Sequence, residues 1–260
     1  MSQDELTLVC EGEPRGRDTR WLALALGHLA LAESFEPAGR VRVVPSGSKA
    51  DLCATVRGMR EYLRTRRVYA IRDRDFLRTE LLAKDESAGV YSFERHSIES
   101  YVVEPSVLEA VFGVSGIEDK LSALAERRFW PDVGRGVLEH FAWELRRDRP
   151  SLGGEAPASE ADVVSLVTAK IESFRAQVAV KPLDAPALVG AFARDMRMSP
   201  LWTRVHGKDL MNAVEKELRD AGHNAADLES RVFKWCSQNS PPGPFVAEVK
   251  RLLVTLLGLP

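Results

Sequence analysis

Two aspartates one residue apart, Asp73 and Asp75, follow the apolar run Val68-Tyr69-Ala70-Ile71. The run is short, β-branched and aromatic, which suits a buried strand. Alternation along extended backbone would let both carboxylates point the same way. Two such charges repel unless a proton or cation lies between them. Solvated turns also use Asp and Arg, so the pair alone reads either way. Glu11 follows a second apolar run, Leu6-Thr7-Leu8-Val9-Cys10, and Glu99 follows a third, Val90-Tyr91-Ser92-Phe93. If the runs are parallel strands, Glu11, Asp73 and Asp75 gather on one sheet edge, where α/β proteins bind ligands. An all-oxygen set suits a hard cation, Mg²⁺ or Mn²⁺. The five histidines are scattered without metal-ligand spacing.

Positioning these residues requires an alternation of strands and helices. Trp21, Leu22, Leu24, Ala25 and Leu29 make an apolar helical face over Asp18–Ala32. Val41–Val44 reads as a strand, Asp51–Leu63 as a helix and Val68–Ile71 as the next strand. Such alternation implies parallel strands and right-handed crossovers. From Pro105 onward the periodicity is helical: 118–128, 136–147, 162–178, 185–196, 208–221, 227–236 and 245–257. Pro150, Gly153, Gly154 and Pro157 mark a loop. The expected fold class is α/β, with a catalytic unit over 1–104 and a helical domain over 105–260.

The totals narrow the function classes. With 260 residues and a formal net charge of -2, bulk charge does not advertise nucleic-acid binding. Cys10, Cys53 and Cys236 form no Cys-x-x-Cys pair, which argues against a zinc site or disulfide framework and fits a reducing cytoplasm. The polar opening Met1–Glu5 does not read as a signal peptide, and no run spans a bilayer. A local basic strip surrounds the acidic pair in sequence: Arg57, Arg60, Arg64, Arg66, Arg67, Arg72, Arg74 and Arg78. Arginine forks match phosphate, although pairing with Glu61 and Glu80 would make the strip an ordinary solvated face.

Taken in order, Glu11-Gly12, Gly47-Ser48-Lys49, Ile71-Arg72-Asp73-Arg74-Asp75-Phe76 and Ser97-Ile98-Glu99-Ser100-Tyr101 resemble the motifs of Toprim domains, in particular those of overcoming-lysogenization-defect (OLD) nucleases and their stand-alone relatives. The resemblance covers about residues 6–103. It implies a Toprim, Rossmann-like parallel sheet with helices on both faces, and hydrolysis of nucleic-acid phosphodiesters. It implies catalytic roles for Glu11, Asp73, Asp75 and Glu99, and a metal set of Glu11, Asp18, Asp73, Asp75 and Glu99 holding two Mg²⁺ or Mn²⁺ ions. The family usually reads Glu-Gly-x-x-Asp; here Pro14–Gly16 is an insertion and Asp18 the second acid, unless Asp18 caps its helix or Glu13 replaces it. Gly207-Lys208-Asp209-Leu210 looks like the counterpart of the family's downstream lysine, which would make Lys208 catalytic rather than a surface residue.

Lys49, Arg57, Arg72 and Arg74 are the expected contacts to DNA or RNA. No Walker loop is present, so the resemblance points to a separate ABC-type ATPase partner and antiphage defence. A second copy of the chain is an alternative partner. Phe245, Val249, Leu252 and Leu253 form a candidate docking stripe that core burial would explain equally. Two other functions stay open: a catalytically inactive Toprim-like module binding nucleic acid or a partner, and a phosphotransferase using Asp-x-Asp.

Overall fold

The computed structural model of the 260-residue chain describes residues 5–47, 52–145, 157–175, 184–197 and 200–259. It is an α/β protein, mostly helical, built on one four-stranded parallel sheet. The strands are β1 (Leu6–Cys10), β2 (Val41–Pro45), β3 (Val68–Arg72) and β4 (Val90–Ser92), in the order β2-β1-β3-β4. β1 and β3 are neighbours in register, Thr7 to Cys10 against Val68 to Ile71.

Strand alternation divides the sheet into two faces. Leu6, Leu8, Cys10 and Ile71 belong to one large core, whereas Val9, Val68 and Ala70 belong to a smaller one. Helix α1 (Arg17–Leu31) joins β1 to β2 and buries Trp21, Leu22, Ala25, Leu26 and Leu29 in the large core. Helix α2 (Leu52–Leu63) joins β2 to β3 and closes the opposite face with Leu52 and Val56. Helix α3 (Thr79–Ser87), which periodicity does not reveal, joins β3 to β4. The chain therefore leaves β1 in one direction and β3 in the other. That divergence is a topological switch point, and ligand crevices in open α/β sheets lie there.

The remaining helices are α4 (Glu99–Val102), α5 (Pro105–Phe112), α6 (Ile117–Leu145), α7 (Glu160–Arg175), α8 (Ala185–Arg197), α9 (Gly207–Asp220), α10 (Leu228–Gln238) and α11 (Gly243–Leu257). The large core runs without interruption from β1 through α11, crossing residue 104. Trp21 of α1 meets Phe233 of α10 and Phe245 of α11 edge-on, at 5.2 and 6.3 Å between ring centroids. Phe245, Val249, Leu252 and Leu253 are buried, so the candidate docking stripe is corrected to core.

The two helices expected over 118–128 and 136–147 are one helix, α6, with Pro131 and Gly136 inside it. At 29 residues it is roughly 43 Å long. A Cβ at Gly136 would lie 2.8 Å from the Phe192 ring and 3.1 Å from Phe76. That glycine is a close-approach position, where α6 presses on the turn after β3, not a break.

Candidate active site

Glu11 leaves β1 and Asp73 leaves β3, on the two strands flanking the switch point. Glu11 is buried beside a two-way backbone bridge, in which the Gly12 and Gly47 N–H groups donate to each other's carbonyls at 3.3 and 2.9 Å. β3 ends at Arg72, so strand alternation does not continue through the aspartates. Asp75 instead adopts a left-handed φ of 49°, and its N–H donates to the His96 carbonyl at 2.8 Å. Asp73 Oδ1 accepts the Ile98 N–H at 3.1 Å. The aspartate turn is thus tied at two points to the segment 96–98, which delivers Glu99.

Burial pushes the Asp73 carboxyl well above the usual carboxylate range, and Asp75, Asp18, Glu99 and Glu11 push it further. Those four are the other acids expected at the metal, so the fold brings the full set within electrostatic reach of Asp73. Asp18 is not the helix cap. Gly16 occupies that position with no side-chain cap bond, and Asp18 sits in the first helical turn. Glu13 is exposed, and its carbonyl takes the Gly16 N–H at 2.8 Å, so residues 13–16 form a tight turn.

Sequence reasoning missed the counter-ions. Arg17 of α1 pairs with buried Glu99 and reaches Glu229 of α10 at 2.8 Å. Burial opposes the Arg17 charge, but Glu99 and Glu229 outweigh it and hold its pKa above the ordinary value. Arg72 lies between Glu11 at 3.8 Å and Asp85 at 3.1 Å, with a side chain only 11% exposed. Its guanidinium is engaged within the protein, in place of the expected contact to nucleic acid. Arg74 is half-buried. Burial and then Arg204 lower its pKa, and both arginines line a small crevice with Asp75, Phe76 and Asp195. Arg57 is exposed on α2, away from this edge, and Lys49 lies outside the described residues.

Lys208 is exposed at the second position of α9. Its neighbour Gly207 is buried against the acidic segment: a Cβ there would lie 2.8 Å from Ser100 Oγ and 3.1 Å from Ser100 N. Only glycine permits that approach, so the Gly207-Lys208 step is held one turn of backbone from Glu99. A charged joint fixes α9 in place. Arg128 and Arg135 of α6 donate to Asp209 Oδ2 at 2.6 and 2.8 Å, and Asp132 Oδ2 accepts the His206 N–H at 2.9 Å. The His206 ring lies 5.2 Å from that of buried His96. Nothing in the local sequence marks Arg17 or Asp132 as parts of this site; Glu229 and His206, which they reach, lie 212 and 74 residues away.

In kind, the donors suit a hard divalent cation: carboxylate oxygens, one of them held above its usual pKa by burial and by the others. Among the described residues, no three His, Cys, Asp or Glu side chains stand close enough to hold a metal as arranged. The arrangement is a set of acids within electrostatic reach of Asp73, with Glu99 paired to Arg17. Among the described residues, no helix is long and apolar enough to cross a membrane. Comparison with known protein families, characterised proteins and solved structures yields no match.

Proposed function

We propose that this chain is a divalent-metal-dependent nuclease of Toprim type, hydrolysing phosphodiesters at the C-terminal edge of β1 and β3. The observation that carries this reading is Asp73, half-buried at the switch point with four further carboxylates acting on it. A fold that keeps Asp73 within reach of four other acids, of which Glu11 and Glu99 also meet arginines, suits a site completed by a cation.

Glu11, Asp73 and Asp75 would hold Mg²⁺ or Mn²⁺, with Asp18 further out. Bound there, the cation supplies Lewis-acid polarisation of a phosphoryl oxygen and a water acidified for attack. The remaining roles belong to side chains. Arg74 and Arg204 offer forked donors to a phosphate entering beside Asp75. Arg17 balances Glu99 and steers its carboxylate through Glu229 on the far side. Lys208, carried on the Gly207 contact, supplies positive charge from the α9 end. Hydrolysis is expected with Mg²⁺ or Mn²⁺ and is expected to fall at least 100-fold in Asp73→Ala; equal cutting by that variant would sink the assignment. Measuring it with and without a co-purifying ABC-type ATPase and ATP tests gating by a partner.

A second reading, an inactive module that binds nucleic acid or a partner, is favoured by the Arg17–Glu99 pair and by the loose spacing of the acids. Calorimetry separates the two. Saturable Mn²⁺ binding abolished by Asp73→Ala supports the nuclease, and nucleic-acid binding with no cation site supports the module.

A further inference from the structure

An arginine cleft lies at the other end of the sheet. It is open, about 800 Å³, and lined by Arg57, Arg60, Arg64 and Arg66 against one acid, Glu61, with Tyr69 in its wall. Arg60 forms its fixed floor. Its Nε donates to the Val68 carbonyl at 2.9 Å, at the start of β3, and one terminal nitrogen reaches the Ala88 carbonyl at 3.4 Å. The guanidinium also covers the Tyr69 ring, 5.2 Å from its centroid. Gly89, at φ 86°, leaves the room it occupies; a Cβ there would lie 3.0 Å from the guanidinium carbon. Val68 and Asp73 bracket β3, so floor and acids are separated by roughly 16 Å of strand.

The rim is different. Arg57, Arg64 and Arg66 are exposed, and among the described residues none of the three makes an ion pair. Arg57 and Arg60 share one α2 face at i and i+3, about 5–6 Å apart, and Arg64 follows the end of that helix. Arg64 also stands where a side chain is disfavoured. It has φ 52° directly after α2, and the Thr65 N–H returns to the Arg60 carbonyl at 3.2 Å. That is a left-handed helix stop, a position that glycine fills best. An arginine there places a charge on the rim at the expense of backbone comfort. A fixed cationic floor, three unpaired rim guanidiniums and an open shape match an extended polyanion.

We propose that this cleft is a second, non-catalytic site for the phosphodiester backbone of a nucleic acid, remote from the acidic edge. Its recognition is electrostatic and independent of base sequence. The proposal does not rest on hydrolysis at the acidic edge, because binding is measured without divalent metal. A free polyphosphate offers the same charge chemistry, and the test separates the two sources.

The probe is a fluorescein-labelled single-stranded 20-mer, read by anisotropy with the full chain in EDTA between 50 and 200 mM salt. The triple variant Arg57→Ala/Arg64→Ala/Arg66→Ala alters exposed positions only. It is expected to bind at least tenfold more weakly at 50 mM salt, with the log–log salt slope reduced by about 2 for three lost phosphate contacts. The matching triple lysine variant should keep the slope, and Arg127→Ala/Arg219→Ala should bind as the parent does. Arg64→Gly should weaken binding while raising Tm by about 2 °C, a gain that a purely structural arginine would not give. Unchanged affinity and slope in the triple alanine variant would overturn the proposal. So would metal-free binding that disappears in Asp73→Asn but survives the triple change, since that places the strand at the acidic edge. Calorimetric binding of tripolyphosphate without any binding of the 20-mer would overturn the assignment to nucleic acid.

Discussion

Two clusters of buried and half-buried acids lie beside the start of α9, which carries Lys208, and they solve the same electrostatic problem in opposite ways. At the α6–α9 joint, Asp132 and Asp209 are matched by Arg128 and Arg135, each donor within 3.4 Å. Burial would raise the Asp209 carboxyl, but Arg135, His206 and Arg128 win and hold it below its ordinary value. At the sheet edge burial, and then Asp75, Asp18, Glu99 and Glu11, drive the Asp73 carboxyl well above its ordinary value. Burial is common to both, so the counter-ion decides. A carboxyl held below its ordinary range contributes to stability, whereas one held above it stores free energy that a cation or proton can release.

Four measurements bear on that contrast, and the largest effect belongs to the compensated side. Asp132→Ala leaves the His206 N–H and the Arg128 guanidinium without their buried acceptor, and is expected to lower unfolding free energy by about 3–5 kcal/mol in urea titration. A loss under about 1 kcal/mol would show that the joint is not a keystone.

Glu248 of α11 is the intermediate case. It is buried, accepts the Glu94 N–H and has Arg251 at 3.6 Å, yet burial raises its pKa to about 7. Its folded value lies above its unfolded one, so its contribution is complete below about pH 4.5 and is lost as pH rises to about 7. The span corresponds to roughly 3 kcal/mol, read as the difference in pH dependence between the parent chain and Glu248→Gln. Asp209 carries the opposite sign: its contribution is lost as pH falls through its depressed folded pKa. Parallel pH curves for the parent and Glu248→Gln would remove Glu248 from this scheme.

Third, Mg²⁺ or Mn²⁺ at a hundredfold excess over its Kd should stabilise the parent chain by about 2.7 kcal/mol and leave Asp73→Asn unmoved. Equal stabilisation of both would place the cation elsewhere. The smallest effect is Asp73→Asn without metal. Removing one of five like charges should raise stability by roughly 1 kcal/mol while abolishing cutting, the trade expected of a functional site. A destabilised Asp73→Asn would mean that the acids are better compensated than their surroundings indicate.

Much of the fold was legible. The strand runs at Leu6, Val41, Val68 and Val90 and the long helices register within a few residues, because their side-chain periods are local properties. Helix α3 was not legible: its charged stretch, Thr79–Ser87, buries only Asp85 and shows no apolar face. Pro131 and Gly136 hid the continuity of α6, since a residue that interrupts an isolated helix can be held in place by what packs on it. Glu11, Asp73, Asp75 and Glu99 follow strand runs in the sequence, and the fold brings the other three within electrostatic reach of Asp73. Arg72, expected to contact nucleic acid, is paired with Glu11 and Asp85, and sequence neighbours do not reveal which acids face a guanidinium across a sheet.

By itself, the sequence determined which residues alternate, which stretches turn, and that carboxylates would emerge where strands end. Those outcomes follow from backbone geometry and from transfer of apolar side chains out of water, both set within a few residues. Tertiary structure alone decided the charge state of that edge. Arg17 reaches Glu99 and Glu229 across 82 and 212 residues, and Gly207 admits α9 onto Ser100. Coulomb interactions and close backbone approach depend on distance in space, and that distance exists only once the core has closed.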